Sequence, residues 1–451
     1  MKRKLLLIAA LLVFMFVQAK PAAAQQRLIV RTTSLSLLQH ACLLNTCQIL
    51  GNLDGAVNQL FLVTFPNGLP LNLVTNILRL VPGVQDVEVD LLRQIPGGPS
   101  LNGNIPSGLN QRTPVNYFGT QVWMGYAQQP ASQLILLNQG QNTFKVSGRG
   151  IVADIDTGVD FSHPALQGAL LQGYDFTRNQ PGGNVMLDVP SSSTSNCSTC
   201  TSGSLDQSSA AVLDQSSAAV LDQSTAAVLD QSTAAVLDSP QYGDFGHGTM
   251  VLGIVHLVAP DAMLMPLKSF GSDGTGYTSN IIRAIYYAVQ NKANVINMSF
   301  DFTTADSELA AAISYAQSNN VTCVASAGND GKAEVVYPAS LAGVMGVAST
   351  NDLNQQSTFS NYGTQVVYLA APGENIISTF PYDTYASSSG TSFSAPFVAG
   401  AVALLLDMNH SLTPATAETA IGHATTTTKN MGHGVLNVYL ALGYMQVTMG
   451  H

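Results

Sequence analysis

The sequence predicts an α/β fold, a parallel sheet with helices on both faces, preceded by a small α+β module. From about residue 147, short apolar runs such as Gly150 to Ile155 and Val321 to Ser326 alternate with helix-like segments such as Ile281 to Gln290. Strands that are apolar along their whole length are typical of a parallel sheet covered on both faces. Ligands of such sheets bind beyond the carboxyl ends of the strands, so we expect the functional residues there.

Residues 25–92 precede this pattern and form the small module. Its elements follow the order β-α-β-α-β, which fits part of a ferredoxin-like unit. The predicted strands are Arg27 to Arg31, Asn58 to Phe65 and Val87 to Val89, and the predicted helices are Ser34 to Leu44 and Leu71 to Leu80.

The first 24 residues are typical of a secretory signal peptide. Three basic residues, the last of them Lys4, precede thirteen apolar residues from Leu5 to Val17, and three small residues end at Ala24. A helix that spans a bilayer needs about 20 apolar residues, which makes a membrane anchor the weaker interpretation. We expect cleavage after Ala24 and a mature protein that is extracellular or periplasmic and does not bind the membrane.

The composition excludes several classes of protein. The 451 residues are 46% hydrophobic and only 10% charged, whereas disordered chains are poor in hydrophobic residues and rich in charge. The formal net charge is −10, from 17 basic and 27 acidic side chains. Because an acidic surface repels phosphate groups, we expect neither nucleic acids nor anionic membranes as partners.

Two segments have a biased composition. Residues 93–120 are rich in proline and glycine, which predicts a linker or processing segment. Residues 204–238 repeat an eight-residue unit, LDQSSAAV or LDQSTAAV. On a helix, successive units would rotate by about 80° and present no constant apolar face. We expect this insert to be an exposed loop, and the sequence leaves its role open.

Five cysteines are too few for a disulfide scaffold. Cys42 and Cys47 lie in the small module, Cys197 and Cys200 form a C-x-x-C pair, and Cys323 lies in an apolar run that predicts a buried thiol. A zinc site would need four ligands, and the chain has no second C-x-x-C pair. For the two early and the two paired cysteines, local disulfides and free thiols both stay open.

Four polar residues lie where predicted strands end or helices begin. Asp156 ends a strand, His247 lies between two glycines before a helix, Ser392 begins a long apolar helix, and Asn329 follows a buried strand. Each residue alone is typical of a structural role, such as a helix cap or a turn. Together they supply an orienting acid, a base, a nucleophile and an amide that can donate to an oxyanion.

The chain resembles the subtilase family of subtilisin-like serine proteases. The segments that carry the resemblance are IDTGVD with the HP that follows, GHGT, NMS, SAGN, APG and GTSFSAP, within residues 120–443. The resemblance implies a serine endopeptidase that forms an acyl-enzyme, with Asp156, His247 and Ser392 as the triad and Asn329 as the oxyanion donor. It also implies a catalytic domain over 121–443, followed by a tail over 444–451.

The resemblance further implies that residues 25–92 are a propeptide that inhibits the enzyme intramolecularly. The expected substrates are proteins or peptides, and we expect a monomer that requires no cofactor. The residues placed in the substrate-binding cleft are Ser299, Phe300, Asp301, Ser326, Ala327 and Gly328.

The chain departs from the family pattern at three places. Met250 replaces a histidine, Asp154 replaces an apolar residue two positions before Asp156, and Phe300-Asp301-Phe302 replaces Leu-Gly-Gly. Asp154 needs a partner that the sequence does not identify. A carboxylate and added bulk at the primary pocket predict poor cleavage after acidic residues.

The helix after His247 leads directly to Val258-Ala259-Pro260. Many family members bind calcium in a polar loop there, and calcium takes roughly six to eight oxygen ligands. We therefore expect that site to be absent and no metal to be bound there. Two other functions stay open, a catalytically silent binding protein on a subtilase scaffold and a surface-display module built on the repeat.

Overall fold

The computed structural model describes residues 26–66, 69–95, 106–189, 240–427 and 429–450. The signal peptide, the repeat over 204–238 and the pair Cys197 and Cys200 lie outside the described residues. The chain divides into two compact units. The smaller comprises the described residues up to Gly51 together with Phe61–Val89, and the larger comprises Asn52–Leu60 and the residues from Asp90 onward.

The smaller unit is built on a four-stranded sheet. Its elements are β1 (Gln26–Thr32), α1 (Leu35–Asn45), β2 (Gln48–Asn52), β3 (Leu60–Phe65), α2 (Leu71–Arg79) and β4 (Val84–Val89). The strand order is β2-β3-β1-β4, and β1 pairs antiparallel with β4. The full order β-α-β-β-α-β is that of a ferredoxin-like unit.

The sequence-based prediction missed β2. This strand lies at the edge of the sheet, and no residue in it is fully buried, so it lacks the alternating apolar pattern that marks a half-buried strand. Cys42 and Cys47, at the end of α1 and just before β2, form a disulfide. The core of the unit comes from α1, α2 and the sheet, and includes Leu28, Val30, Leu38, Val63 and Val74.

The first half of the larger unit contains short strands and helices around one long strand. These elements are β5 (Leu92–Gln94), β6 (Pro114–Tyr117), β7 (Thr120–Trp123), α3 (Met124–Ala127), α4 (Pro130–Leu134), α5 (Leu137–Phe144), β8 (Ile151–Asp156), β9 (Tyr174–Asp175) and β10 (Gln180–Pro181).

The second half alternates strands and helices. It comprises α6 (His247–Val258), β11 (Met263–Lys268), β12 (Thr275–Tyr277), α7 (Thr278–Gln290), β13 (Val295–Met298), α8 (Ser307–Ser318), β14 (Thr322–Ser326), β15 (Val344–Thr350), β16 (Leu369–Pro372), β17 (Ile376–Phe380), β18 (Thr384–Ser388), α9 (Thr391–Met408), α10 (Pro414–Ile421) and α11 (Val438–Met449).

The central sheet has eight strands in the order β10-β9-β11-β8-β13-β14-β15-β16. The seven strands from β9 to β16 in this order pair in parallel, and every residue of β13, β14, β15 and β16 is buried. The predicted α/β fold with a parallel sheet is therefore confirmed. The carboxyl ends of β8 and β14 meet at one edge, which brings the residues that follow them together.

Two apolar helices form the centre of the large core. All twelve residues of α6 are buried, and α9 is buried from Thr391 to Leu406. Among the described residues, α9 is also the one helix long and apolar enough to cross a bilayer, but 89% of it is buried inside the protein. Its hydropathy thus reflects its position in the core.

Two segments contain strands or helix that the sequence does not predict. Within 93–120, the predicted linker, β5 pairs with β12 and β6 pairs with β7, and Leu109 is buried. The proline- and glycine-rich residues 96–105 of this segment lie outside the described residues. Residues 444–451 are not a simple tail, because α11 continues to Met449 and its Met445 lies in the core.

Candidate active site

The candidate site begins with Asp156 and His247, which different elements bring together. Asp156 is the last residue of β8, and His247 is the first residue of α6. Gly246, the N-cap of α6, has φ of 84°, and a Cβ atom there would lie 2.4 Å from the Phe380 ring. A Cβ at Gly248 would lie 2.5 Å from a backbone oxygen of Gly158. The two glycines therefore let the histidine approach the strand end closely.

His247 and Asp156 form a buried hydrogen-bonded pair. Nδ1 of His247 lies 2.8 Å from Oδ2 and 2.9 Å from Oδ1 of Asp156. Burial lowers the pKa of His247, but the charge and hydrogen bond of Asp156, together with the charge of Asp244, outweigh it and leave the pKa raised. Because Nδ1–H donates to the carboxylate, the neutral ring carries its lone pair on Nε2.

Ser392 is the second residue of α9, and the residue after it contacts the histidine. The ring of its neighbour Phe393 packs on the His247 ring, with 5.3 Å between the centroids. Ser392 Oγ donates a hydrogen bond to the backbone oxygen of Ser299 at 3.1 Å, and Ser299 Oγ donates to the backbone oxygen of Ser392 at 2.8 Å. These reciprocal bonds join the start of α9 to the end of β13.

Asn329 follows β14 and is oriented by the residue before Ser392. Its Oδ1 accepts from the backbone N–H of Thr391 at 2.9 Å and from the Thr391 hydroxyl at 3.0 Å. Since the oxygen is engaged, the Nδ2 group is the one left to donate to a ligand. Gly390 leaves the space beside it open, because a Cβ there would lie 3.5 Å from Nδ2.

Asp154 has the partner that the sequence does not identify. Asn297, its neighbour in the β8–β13 register, donates from Nδ2 to Asp154 Oδ1 at 2.9 Å and also to Ser299 Oγ at 2.9 Å. Burial and the charge of Asp156 raise the pKa of Asp154 well above its usual value, while the Asn297 hydrogen bond lowers it. A polar chain therefore runs from Asp154 through Asn297 and Ser299 to the backbone of Ser392.

Comparison with known proteins decides the family. The family model described as the subtilase family matches residues 148–440. The chain belongs to the subtilase family.

Two relatives, thermitase and subtilisin BL, agree with this assignment. The chain is 31% identical to thermitase of Thermoactinomyces vulgaris over 305 residues, which cover 65% of this chain and 88% of thermitase. It is 39% identical to subtilisin BL of Lederbergia lenta over 182 residues, which cover 38% of this chain and 67% of the relative. A solved structure of a cold adapted subtilisin-like serine proteinase has 25% identity and a TM-score of 0.49 and covers 65% of this chain and 90% of that one. This subtilase is a serine-type endopeptidase, a hydrolase that acts on peptide bonds.

The predicted pocket residues Asp301 and Phe300 have different surroundings. Asp301 is buried near Gly328, since a Cβ at Gly328 would lie 3.2 Å from Asp301 Oδ2. Burial and the charges of Asp330 and Glu334 raise the pKa of Asp301 to about 7. Phe300 instead packs on other aromatic rings, those of Phe270 and Phe302. Ser326 and Ala327, which precede Gly328, are buried at the end of β14.

One strand pairing near these residues was missed from the sequence. Strand β5 pairs antiparallel with β12, so that Arg93 lies opposite Gly276, and the Ile95 N–H donates to the Gly274 oxygen at 2.9 Å. The Arg93 guanidinium lies over the Phe302 ring, 4.7 Å from its centroid. Nothing local in the sequence predicted this placement, because the partners of Arg93 lie more than 180 positions away.

Proposed function

We propose that this subtilase is an exported endopeptidase that uses Ser392, His247 and Asp156 as its triad. The observation that carries the proposal is the buried bond between His247 Nδ1 and Asp156 beside the start of the helix that holds Ser392. Ser392 Oγ attacks the scissile carbonyl, and His247 Nε2 takes its proton and then gives it to the leaving amine. Asp156 keeps the ring in the required tautomer and stabilises its cation. Water then hydrolyses the acyl-enzyme.

The Ser392 hydroxyl has two alternative acceptors in this mechanism. In the resting geometry it donates to the Ser299 backbone oxygen, so it has to turn toward Nε2 of His247 before it can lose its proton. The polar chain behind Ser299 holds that oxygen and the start of α9 in place. These hydrogen-bonded side chains therefore leave only the Ser392 hydroxyl free to turn.

The developing oxyanion is held by two donors in the proposal. One is the Asn329 Nδ2 group, whose amide is oriented by Thr391. The other is the backbone N–H of Ser392, because the first N–H groups of a helix have no partner within the helix. The N-terminal end of α9 also favours negative charge.

Residues 25–92 act as an inhibitory propeptide in the same proposal. Substrates of many proteins bind by adding an extended strand to an exposed strand edge, and β5 adds such a strand to β12. The Asp244 N–H donates to the Ser272 oxygen at 2.9 Å, so the loop before β12 is tied close to His247. The segment after the small module therefore occupies the path of a substrate.

The proposal also covers export, partners and cofactors. The signal peptide sends the protein out of the cytoplasm, where it acts as a monomer on proteins or peptides, without nucleic acid or membrane partners. The proposed enzyme requires no cofactor and lacks the calcium loop of other members, a proposal supported by the uninterrupted run of α6 to Val258. Among the described residues, no group of three or more His, Cys, Asp or Glu side chains is arranged to hold a metal ion.

A fluorophosphonate probe tests the catalytic assignment and separates it from a silent binding protein. We expect the matured protein to be labelled on Ser392 and the Ser392→Ala variant to remain unlabelled. Ser394→Ala is a matched control, because Ser394 is a buried serine on the same helix. Absence of label on Ser392 in the matured protein would favour the silent alternative.

Maturation gives a second test of the triad. Loss of the nucleophile lowers the rate by about 10⁶, a magnitude known from subtilisin, a relative. In a host without other exported proteases, Ser392→Ala should therefore accumulate a precursor that begins near residue 25. N-terminal sequencing of both proteins measures this, and identical N-termini would reject self-processing.

A further inference from the structure

We propose that the acyl side of the substrate cleft contains a subsite selective for arginine, which Arg93 occupies in the precursor. The inference rests on the proposed function, because it treats β5 as lying where a substrate binds. The walls of this arginine subsite come from Thr278, Phe302, Thr304 and Asp306. The ligand is thus an extended peptide with an arginine at one fixed position before the scissile bond.

The Arg93 guanidinium contacts two threonine hydroxyls, a carboxylate and the face of an aromatic ring. Nε donates to Thr278 Oγ1 at 3.0 Å, and Nη1 donates to Thr304 Oγ1 at 3.0 Å. Nη2 lies 3.6 Å from Asp306 Oδ2, and the two side chains are 6% and 4% exposed. Removing a cation from water is costly unless it is paired and hydrogen-bonded, and this subsite supplies both together with the face of Phe302.

Contacts that do not involve Arg93 hold most of the subsite walls in place. Asp306 caps α8 through Oδ1, which accepts from the Leu309 N–H at 2.9 Å, while Oδ2 faces the guanidinium. Thr278 is the first residue of α7, and Phe302 pairs with Tyr337 through two backbone hydrogen bonds of 2.8 Å. Three of the four wall residues are therefore anchored by contacts outside the subsite, and a site of this kind loses little entropy on binding.

The backbone contacts of β5 do not depend on its sequence. Besides the bond of Ile95 to Gly274, the Thr278 N–H donates to the Leu91 oxygen at 2.9 Å. Any extended peptide can make these bonds, so β12 sets the path and register while the subsite selects the side chain. The strand runs from Leu91 toward Gly274, the end that lies near His247, which places the arginine before the bond to be cut.

Arginine fits this subsite better than lysine. The subsite offers two threonine hydroxyls, a carboxylate and a ring face. The arginine guanidinium is planar and carries five N–H donors, whereas the lysine ammonium is a compact charge with three. A lysine cannot reach the hydroxyls and stack on the ring at once. An acidic side chain would face Asp306, and like charges in contact oppose binding.

Peptide substrates test the proposal. The matured enzyme is assayed on fluorogenic peptides that are identical except for one arginine, moved from the second to the sixth position before the cut. We expect arginine to raise kcat/KM over alanine by about tenfold or more at one position, in line with hydrogen bonds to a charged group, and lysine to do so less. Fluorescence polarisation of a labelled peptide of residues 88–95, with and without Arg93→Ala, measures binding independently of catalysis.

Asp306→Asn removes the charge but keeps a good helix N-cap. It should abolish the arginine preference. Asp273→Asn is the matched control, because Asp273 is an acid of the same cleft whose carboxylate contacts Thr275 and not Arg93. It should keep the preference.

Failure of the arginine subsite and failure of the proposed function would give different results. If the enzyme cleaves the alanine peptide but no position prefers arginine, or if Asp273→Asn removes the preference as fully as Asp306→Asn, the arginine subsite is refuted and the protease stands. If no peptide is cleaved and no probe labels Ser392, the proposed function is refuted, and equal binding of the two labelled peptides would refute the subsite as well.

Discussion

The two ends of helix α6 each bury a histidine, and their environments have opposite effects. At the N-terminal end, the charge and hydrogen bond of Asp156 overcome burial and raise the pKa of His247. Near the C-terminal end, burial lowers the pKa of His256 to about 4, and both its ring nitrogens are buried without a hydrogen-bond partner in the described structure. A buried imidazole becomes a base at neutral pH only where a carboxylate is built beside it.

Asp156→Asn should make the environment of His247 resemble that of His256. An asparagine removes the charge and no longer favours the tautomer with its lone pair on Nε2, so we expect kcat to fall by about 10⁴, the magnitude known from other triads. Peptide hydrolysis by the matured enzyme measures the effect.

Asp154→Asn is the control for this change. Burial and the charge of Asp156 raise the pKa of Asp154 well above its usual value, which disfavours a charge there, and an asparagine at this position can still accept from Asn297. We expect kcat within about tenfold of the wild type. An equal loss in both variants would mean that general electrostatics, and not the histidine contact, accounts for the effect.

Because His256 is buried, we expect the stability of the fold to fall in acid. Its folded pKa of about 4 lies below the unfolded value of about 6.5, so the unfolded state binds more protons. Stability is fully present above about pH 6.5 and falls as the pH drops toward 4, by about 3 kcal/mol from this one residue. Denaturant unfolding of the Ser392→Ala protein across this range measures the loss without autolysis.

His256→Leu should flatten that dependence on pH, because leucine has nothing to protonate. His410→Gln, which changes an exposed histidine, is the matched control and should keep the slope. If His256→Leu shows the same slope as the unsubstituted protein, other groups such as His163, whose pKa burial also lowers, carry the acid sensitivity.

Asp301 is a buried acid whose pKa, like those of the two histidines, is set by its surroundings. Burial and two neighbouring acids raise its pKa to about 7, so the carboxyl is neutral below this pH and charged above it. The ratio of cleavage after basic to cleavage after acidic residues should therefore rise by about tenfold between pH 6 and 8. The ratio cancels the titration of His247, which acts on both substrates, and Asp301→Asn should remove the rise. A constant ratio would place Asp301 outside the primary pocket.

The sequence predicted the interior of the large unit well and its edges poorly. The apolar run predicted over Val321 to Ser326 is strand β14, Thr322–Ser326, because a strand buried on both faces is apolar whatever its neighbours are. Strand β2, the pairing of β5 with β12 and the continuation of α11 were missed. Edge strands and terminal helices gain their stability from partners distant in the chain, which no local pattern reports.

The sequence by itself determined the fold class and marked Asp156, His247, Ser392 and Asn329 as candidates, because glycine-flanked turns at strand and helix ends are local features. Only the tertiary structure decided which buried groups are paired. The Asn297 side chain contacts Asp154 across 143 positions of sequence, and Arg93 reaches Thr304 across 211. Whether a buried histidine, acid or arginine is stabilised depends on the charges and hydrogen bonds within a few ångströms, and folding alone brings those groups together.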